Sequence, residues 1–94
     1  MQYVGTGRLG TVQNASYSAS SAAISNPIGP QTYKVRLLAT TDCFVRIGDG
    51  TPAATASDTY LPALSAEYFT ITPGQKVAAI RVSADGTLNV TEIV

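Results

Sequence analysis

The sequence predicts an all-β domain, a small β-sandwich or barrel, on three observations. Residues 33–37 alternate between apolar and polar side chains with the period of two that half-buried strands show, and residues 45–47 repeat the pattern. Turn formers (Gly, Pro and Asp) recur at short spacing over residues 48–86. Helix signals are nearly absent, because the one Ala-rich window, 53–56, is short and follows Pro52. Roughly five to eight short strands separated by such turns are typical of a sandwich or small barrel.

The chain divides at about residue 30. Residues 1–30 are rich in Gly, Ser and Ala, a composition typical of an extended arm or of edge strands that become ordered against a partner. Leu9, Val12 and Tyr17 give this part some strand character. Residues 31–94 form the predicted β-sandwich body.

The body contains a series of predicted strands separated by two recognisable turns. Pro73 and Gly74 occupy the two central positions of a predicted type II turn. Asp85-Gly86 predicts a hairpin between the strands on either side of it. The predicted strands are 33–37, 43–47, 60–61, 67–71, 76–83 and 87–94.

Several side chains are assigned a place by these strands. Val45 and Ile47 share one face of their strand, with Arg46 on the other. Cys43 is the single cysteine, so no intrachain disulfide forms, and we expect it to be a small buried hydrophobe. Tyr33 and Tyr68 are expected to take core or sheet positions.

Charge and composition narrow the class of partner. The chain has six basic and six acidic residues, and charged residues make up 13% of it, against about 25% in an average soluble domain. The cations are scattered singly, which argues against nucleic acid as a partner. The sequence has no secretory signal and no apolar run near the roughly 18 residues of a membrane span, so we expect synthesis in the cytoplasm and no membrane partner. A charge-poor surface indicates association with other protein subunits.

Catalytic, cofactor and metal sites are not predicted. Residues 5–10 match the dinucleotide pattern G-x-G-x-x-G but lack the preceding strand, the following helix and the acidic residue that the site requires. With no His and one Cys, zinc ligands are missing. Asp42, Asp49 and Asp58 do not have the spacing of a calcium loop. No His can act as a base for the many Ser and Thr hydroxyls, so we expect no enzyme.

The candidate partner-binding residues lie in the N-terminal part. Tyrosine is enriched at protein interfaces because it combines apolar area with a hydrogen-bonding end. Tyr3 and Tyr17, together with the apolar Val4 and Leu9, are therefore predicted to contact a partner.

The order of motifs over residues 33–94 resembles that of small structural proteins encoded among the head genes of tailed bacteriophages, of the capsid cement, decoration or head-stabilising type. The resemblance implies a jelly-roll β-sandwich that is displayed as a dimer or trimer on the capsid exterior and bridges major capsid protein subunits. The N-terminal arm would then add a strand to a neighbour's sheet edge. The motifs are CFVRIG (43–48), YLPA (60–63), EYF (67–69), PGQKVA (73–78) and LNVTE (88–92).

Two other readings remain open at this point. One is a different virion part, a head–tail connector or a tail or fibre module, which copy number per particle would separate from a cement protein. The other is a small carbohydrate-binding β-sandwich, which would present exposed aromatic and polar groups in one concave site; the absence of Trp argues against it.

Overall fold

The computed structural model describes residues 8–94, which form eight strands in two antiparallel sheets of four, with no helix in this range. Accordingly, these residues provide no helix able to cross a membrane. The strands are β1 Leu9–Tyr17, β2 Ala22–Ala23, β3 Lys34–Ala39, β4 Cys43–Gly48, β5 Thr59–Leu61, β6 Glu67–Thr70, β7 Lys76–Arg81 and β8 Gly86–Ile93.

The strand order is β1-β8-β3-β6 in the first sheet and β2-β7-β4-β5 in the second. Among the described residues, β4 and β5 are the only consecutive strands that pair with each other. Every other connection, including the long segment between β2 and β3, carries the chain from one sheet to the other. The first sheet is therefore held together by pairings between distant parts of the chain, such as β1 with β8.

The hairpin predicted at Asp85-Gly86 is wrong. The strands β7 and β8 lie in different sheets, and the turn between them carries the chain across the sandwich. Gly86 is required there for space, because a Cβ atom at this position would lie 2.6 Å from the hydroxyl oxygen of Tyr17. The Asp-Gly pair thus marks a turn, but the neighbouring strands find their partners elsewhere.

The type II turn predicted at residues 72–75 is confirmed. Gly74 has φ of +90°, the left-handed conformation that the third position of this turn needs. The Gln75 N–H donates to the Thr72 carbonyl oxygen at 3.1 Å and closes the turn.

The core lies between the two sheets and follows the alternation of the strands. Val35 and Leu37 are fully buried, while Lys34 and Arg36 between them are only half-buried. The predicted burial of Cys43 is confirmed. The interior cluster comprises Ala15, Tyr17, Ile24, Ile28, Val35, Leu37, Ala39, Cys43, Val45, Leu61, Ile71, Val77, Ala79, Leu88 and Val90.

The N-terminal third contributes edge strands to this sandwich from residue 9 onward. The strands β1 and β2 form one edge of each sheet, and Ile24 and Ile28 belong to the shared core. No break in the core therefore occurs at residue 30. Residues 1–7, the remainder of the predicted arm, lie outside the described residues.

A buried polar contact fixes the long segment between β2 and β3. Glu92 of β8 points into the interior and is almost fully buried. Its carboxylate accepts hydrogen bonds from the Thr32 hydroxyl and, at 3.4 Å, from the Gly29 N–H. Because a buried carboxylate without partners is costly, these bonds hold residues 29–32 against the end of the first sheet.

Candidate interaction surfaces

The outward side of the first sheet is a four-stranded surface, called here the open face. Its members follow from the register: Val35 and Leu37 point into the core, so their neighbours on β3 point outward, as do the residues paired with those neighbours. The open face consists of Leu9, Val12, Asn14 and Ser16 on β1, Thr87, Asn89, Thr91 and Ile93 on β8, Lys34, Arg36 and Leu38 on β3, and Tyr68 and Thr70 on β6.

The two edges of the open face expose apolar side chains. One row across the sheet runs Val12, Thr91, Arg36, Tyr68. Val12 at one end is 52% exposed and Tyr68 at the other is 47% exposed. Leu9, next to the β1 bulge, is 75% exposed.

The centre of the open face is polar and internally bonded. The Asn89 side-chain amide donates to Asn14 Oδ1 at 3.1 Å, and the Thr91 hydroxyl donates to Asn89 Oδ1 at 3.0 Å. The first bond links β1 to β8 on the outward side, and the second lies within β8. The side chains at the centre of the open face therefore hold one another in fixed positions.

Lys34 and Arg36 give the open face a positive charge. Its members include no carboxylate. In residues 8–94 the ion pairs are Arg46–Asp58 at 3.1 Å and Arg81–Asp85 at 2.7 Å, both outside the open face. The open face therefore presents two cations that have no acidic partner among the described residues, which favours a negatively charged surface opposite it.

The outward side of the second sheet, called here the covered face, is different. Ala78 of β7 points outward by register but is fully buried and does not belong to the interior cluster. The loop 49–58 carries Ala54 to a buried position, where its N–H donates to Ser21 Oγ at 2.8 Å. Ser21 immediately precedes β2, so the loop leaves β4, crosses β7 and covers Ala78.

Asp58 anchors the far end of this loop. Its carboxylate accepts hydrogen bonds from the Thr55 N–H at 2.7 Å and from Arg46 Nε at 3.1 Å. The Thr55 N–H, and then the positive charge of Arg46, hold the pKa of Asp58 below its usual value. The part of the covered face around Ala78 is thus completed by contacts within the chain, while Tyr60 of β5, on the same outward side, is 49% exposed.

The loop 62–66, between β5 and β6, is held in a fixed conformation. Asp42 Oδ1 accepts the Ala63 N–H at 2.7 Å, and the Leu64 N–H donates to the Ala39 carbonyl at 2.8 Å. The Ala63 N–H, and then the Tyr60 hydroxyl, lower the pKa of Asp42. The same contact with Asp42 raises the pKa of Tyr60.

Leu64 stands out within this loop. Its φ of +58° lies in the left-handed region, which costs a non-glycine residue roughly 1–2 kcal/mol. Its side chain is 75% exposed, so burial within the chain does not offset that cost.

A cleft of about 280 Å³ opens on the side of the sandwich where the edge strands β5 and β6 lie. Its apolar wall includes Ile47 and Phe69, which are partly buried against the core. The residues lining it are Val45, Arg46, Ile47, Asp58, Thr59 and Phe69.

The residues predicted to bind a partner have separate places. Leu9 lies on the open face and is exposed. Tyr17 requires a correction: it is 2% exposed, and its hydroxyl donates to the Thr41 carbonyl at 2.7 Å, so it is a core residue. The inward alternation of β1 places it there. Tyr3 and Val4 lie outside the described residues.

Of the two tyrosines expected in core or sheet positions, Tyr68 takes a sheet position in β6 and faces outward. Tyr33 differs from expectation, since it precedes β3 and is 64% exposed. Tyr68 and Arg36 are interface candidates that the sequence reasoning missed. Strand alternation identifies them as outward, but only the strand order brings them together with Val12.

The described residues contain no cluster of three or more His, Cys, Asp or Glu side chains arranged to bind a metal ion. Asp42 and Asp58, considered above for calcium, each bind a backbone N–H instead. Comparison of the chain with protein-family models, curated proteins and solved structures found no match in any of the three.

Proposed function

We propose that this protein is a structural subunit of a tailed-phage virion that binds the outside of the capsid and bridges neighbouring major capsid protein subunits. The observation that carries the proposal is the open face: a four-stranded surface with apolar edges, an internally bonded centre and two cations without acidic partners in the described chain. The motif order over residues 33–94 supports the choice of partner.

We also infer that the sandwich is of the jelly-roll type. The strand orders β1-β8-β3-β6 and β2-β7-β4-β5, with nearly every connection crossing between the sheets, support this inference. A double-sheet jelly roll has eight strands arranged as two Greek keys. The edge strands of the open face remain exposed at Val12 and Tyr68.

The physical mechanism is repeated attachment of a flat surface. Val12 and Tyr68 supply apolar area at the two edges, and Lys34 and Arg36 meet negative charge on the capsid surface. A subunit that bridges two capsid proteins binds each of them weakly. Two linked weak contacts together hold it far more tightly than either contact alone.

Capsid-binding measurements with open-face variants test the proposal. Purified protein is mixed with expanded capsids that lack it, and bound protein is quantified after sedimentation. The wild type should saturate at a stoichiometry fixed by the lattice. Tyr68→Ser combined with Val12→Ser, and separately Arg36→Glu, should weaken binding about tenfold or more, since tyrosine and arginine are enriched among the residues that dominate interface energies.

Val82→Ser is the matched control, because Val82 is also an exposed hydrophobic residue but lies in the turn after β7. It should bind like the wild type. Equal binding by the open-face variants would overturn the proposal for this surface. Saturation at about a dozen copies or fewer per particle would instead favour the connector or tail reading.

A further inference from the structure

We propose that two copies of this protein associate across a two-fold axis, with Leu64 of each copy inserted into the β5/β6 cleft of the other. This goes beyond the proposed function, which concerns binding to the capsid. It concerns a different surface from the open face and is tested on the isolated protein, so its failure is distinguishable from failure of capsid binding.

Leu64 has the properties of an anchor that lacks its partner. An exposed leucine in the left-handed region gains neither from burial nor from its backbone conformation. Glycine would occupy this position without strain. The fold nevertheless holds the side chain outward through the hydrogen bonds of Ala63 and Leu64, and such pre-positioning lowers the entropy cost of association.

The cleft has a size and a lining suited to that anchor. At about 280 Å³ it has room for many times the volume of one water, roughly 30 Å³. Val45, Ile47 and Phe69 offer apolar carbon atoms to a branched aliphatic side chain. The Arg46–Asp58 ion pair at its rim carries no net charge. A leucine side chain that enters the cleft therefore does not meet an uncompensated charge.

Anchor and cleft lie on the same side of the sandwich. Thr59 of β5 and Phe69 of β6 line the cleft, and the loop 62–66 that carries Leu64 joins these two strands. In a two-fold contact, if residue i of the first copy contacts residue j of the second, then residue j of the first copy also contacts residue i of the second. One axis through this side therefore places both leucines in clefts at once and closes the assembly as a dimer.

The first test compares association of the isolated wild type and Leu64→Gly by sedimentation over a series of concentrations. The wild type should dimerise. Leu64→Gly should raise the dimer dissociation constant about 100-fold or more, because two leucine side chains lose their burial. Its thermal unfolding midpoint, measured where both proteins are monomeric, should not fall, because glycine relieves the left-handed strain.

Val82→Ser is the control, since Val82 is also an exposed hydrophobic residue but lies in the turn after β7, outside the loop 62–66 and the cleft. It should dimerise like the wild type. A wild type that stays monomeric throughout the series, or a Leu64→Gly variant that dimerises equally well, would overturn the proposal.

A mixing experiment tests whether Leu64 of one copy inserts into the cleft of the other copy. Thr59→Lys places a charge at the mouth of the cleft and leaves Leu64 intact; Thr59 is exposed, so the fold should tolerate it. Each variant alone loses both anchor–cleft contacts. A mixture of Leu64→Gly with Thr59→Lys keeps one intact contact and should form heterodimers more readily than either variant forms homodimers. No gain on mixing would contradict the two-fold arrangement.

Discussion

The two sheets have the same number of strands and share one core, but their outward sides differ. On the second sheet, the loop 49–58 covers Ala78 and is fastened by Ser21 and by the Arg46–Asp58 pair. On the first sheet, Val12 and Tyr68 remain exposed beside two cations. Part of a sheet face can thus be covered by its own chain, and exposed apolar residues beside cations without acidic partners, as on the open face, mark where binding should be sought.

The largest expected effect comes from placing the same charge on each face. Ala78→Asp forces a carboxylate into a fully buried position beside Arg46, whose attraction offsets only part of the desolvation cost, so we expect a loss of about 3 kcal/mol or more in the free energy of unfolding. Val12→Asp on the open face should cost less than about 1 kcal/mol. Urea unfolding followed by circular dichroism measures both. Similar losses for the two variants would contradict the difference in burial between Ala78 and Val12.

A second pair of substitutions compares two candidates within β1. Tyr17→Phe removes the hydroxyl that bonds the Thr41 carbonyl and should cost about 1–2 kcal/mol. Leu9→Ser, on the outward side of the same strand, should change stability by no more than about 0.5 kcal/mol. The same unfolding assay applies. A neutral Tyr17→Phe would show that the Tyr17–Thr41 contact does not stabilise the fold.

Acid should release the contacts of Asp42 and Asp58. Hydrogen bonds lower both pKa values in the folded state. Their stabilisation is therefore complete above the ordinary carboxyl pKa of about 3.9 and is lost as the pH falls through the lowered folded values. Unfolding free energy measured from pH 6 downward should decline in that window, and Asp42→Asn with Asp58→Asn should flatten the decline. An unchanged slope in the double variant would assign the acid sensitivity to other groups.

The smallest effect concerns Cys43 at alkaline pH. Burial raises the pKa of its thiol to about 11. The resulting stabilisation is fully present below the unfolded pKa of about 8.5 and is lost as the pH rises through the folded value. Cys43→Ala should flatten the alkaline decline in stability, and the native thiol should react with iodoacetamide far more slowly than the unfolded one. Rapid alkylation of the folded protein would contradict this burial.

The sequence predicted the fold class, the strand faces around Cys43–Ile47 and the turn at residues 72–75, because each depends on neighbouring residues. It did not predict which strands pair. The order β1-β8-β3-β6 joins strands from opposite ends of the chain, and no local pattern encodes that choice. The Asp85-Gly86 error has this origin.

The candidate surfaces were predicted less well than the fold, for related reasons. Strand alternation places Tyr17 inward, but this argument requires a strand that includes Tyr17, and the sequence gives only weak strand signals there. The left-handed conformation of Leu64 carried no sequence signal, since that conformation usually belongs to glycine. The open face could be identified only once the strand order was known, because Val12 and Tyr68 come from strands at opposite edges of one sheet.

Hydroxyl-radical footprinting of the protein, free and bound to expanded capsids that lack it, tests most directly whether the open face binds the capsid. Modification of each side chain is read by mass spectrometry. The account predicts strong protection of Leu9, Leu38 and Tyr68 on the open face, with Val82 unchanged. Protection of Val82 while the three open-face side chains remain reactive would contradict it.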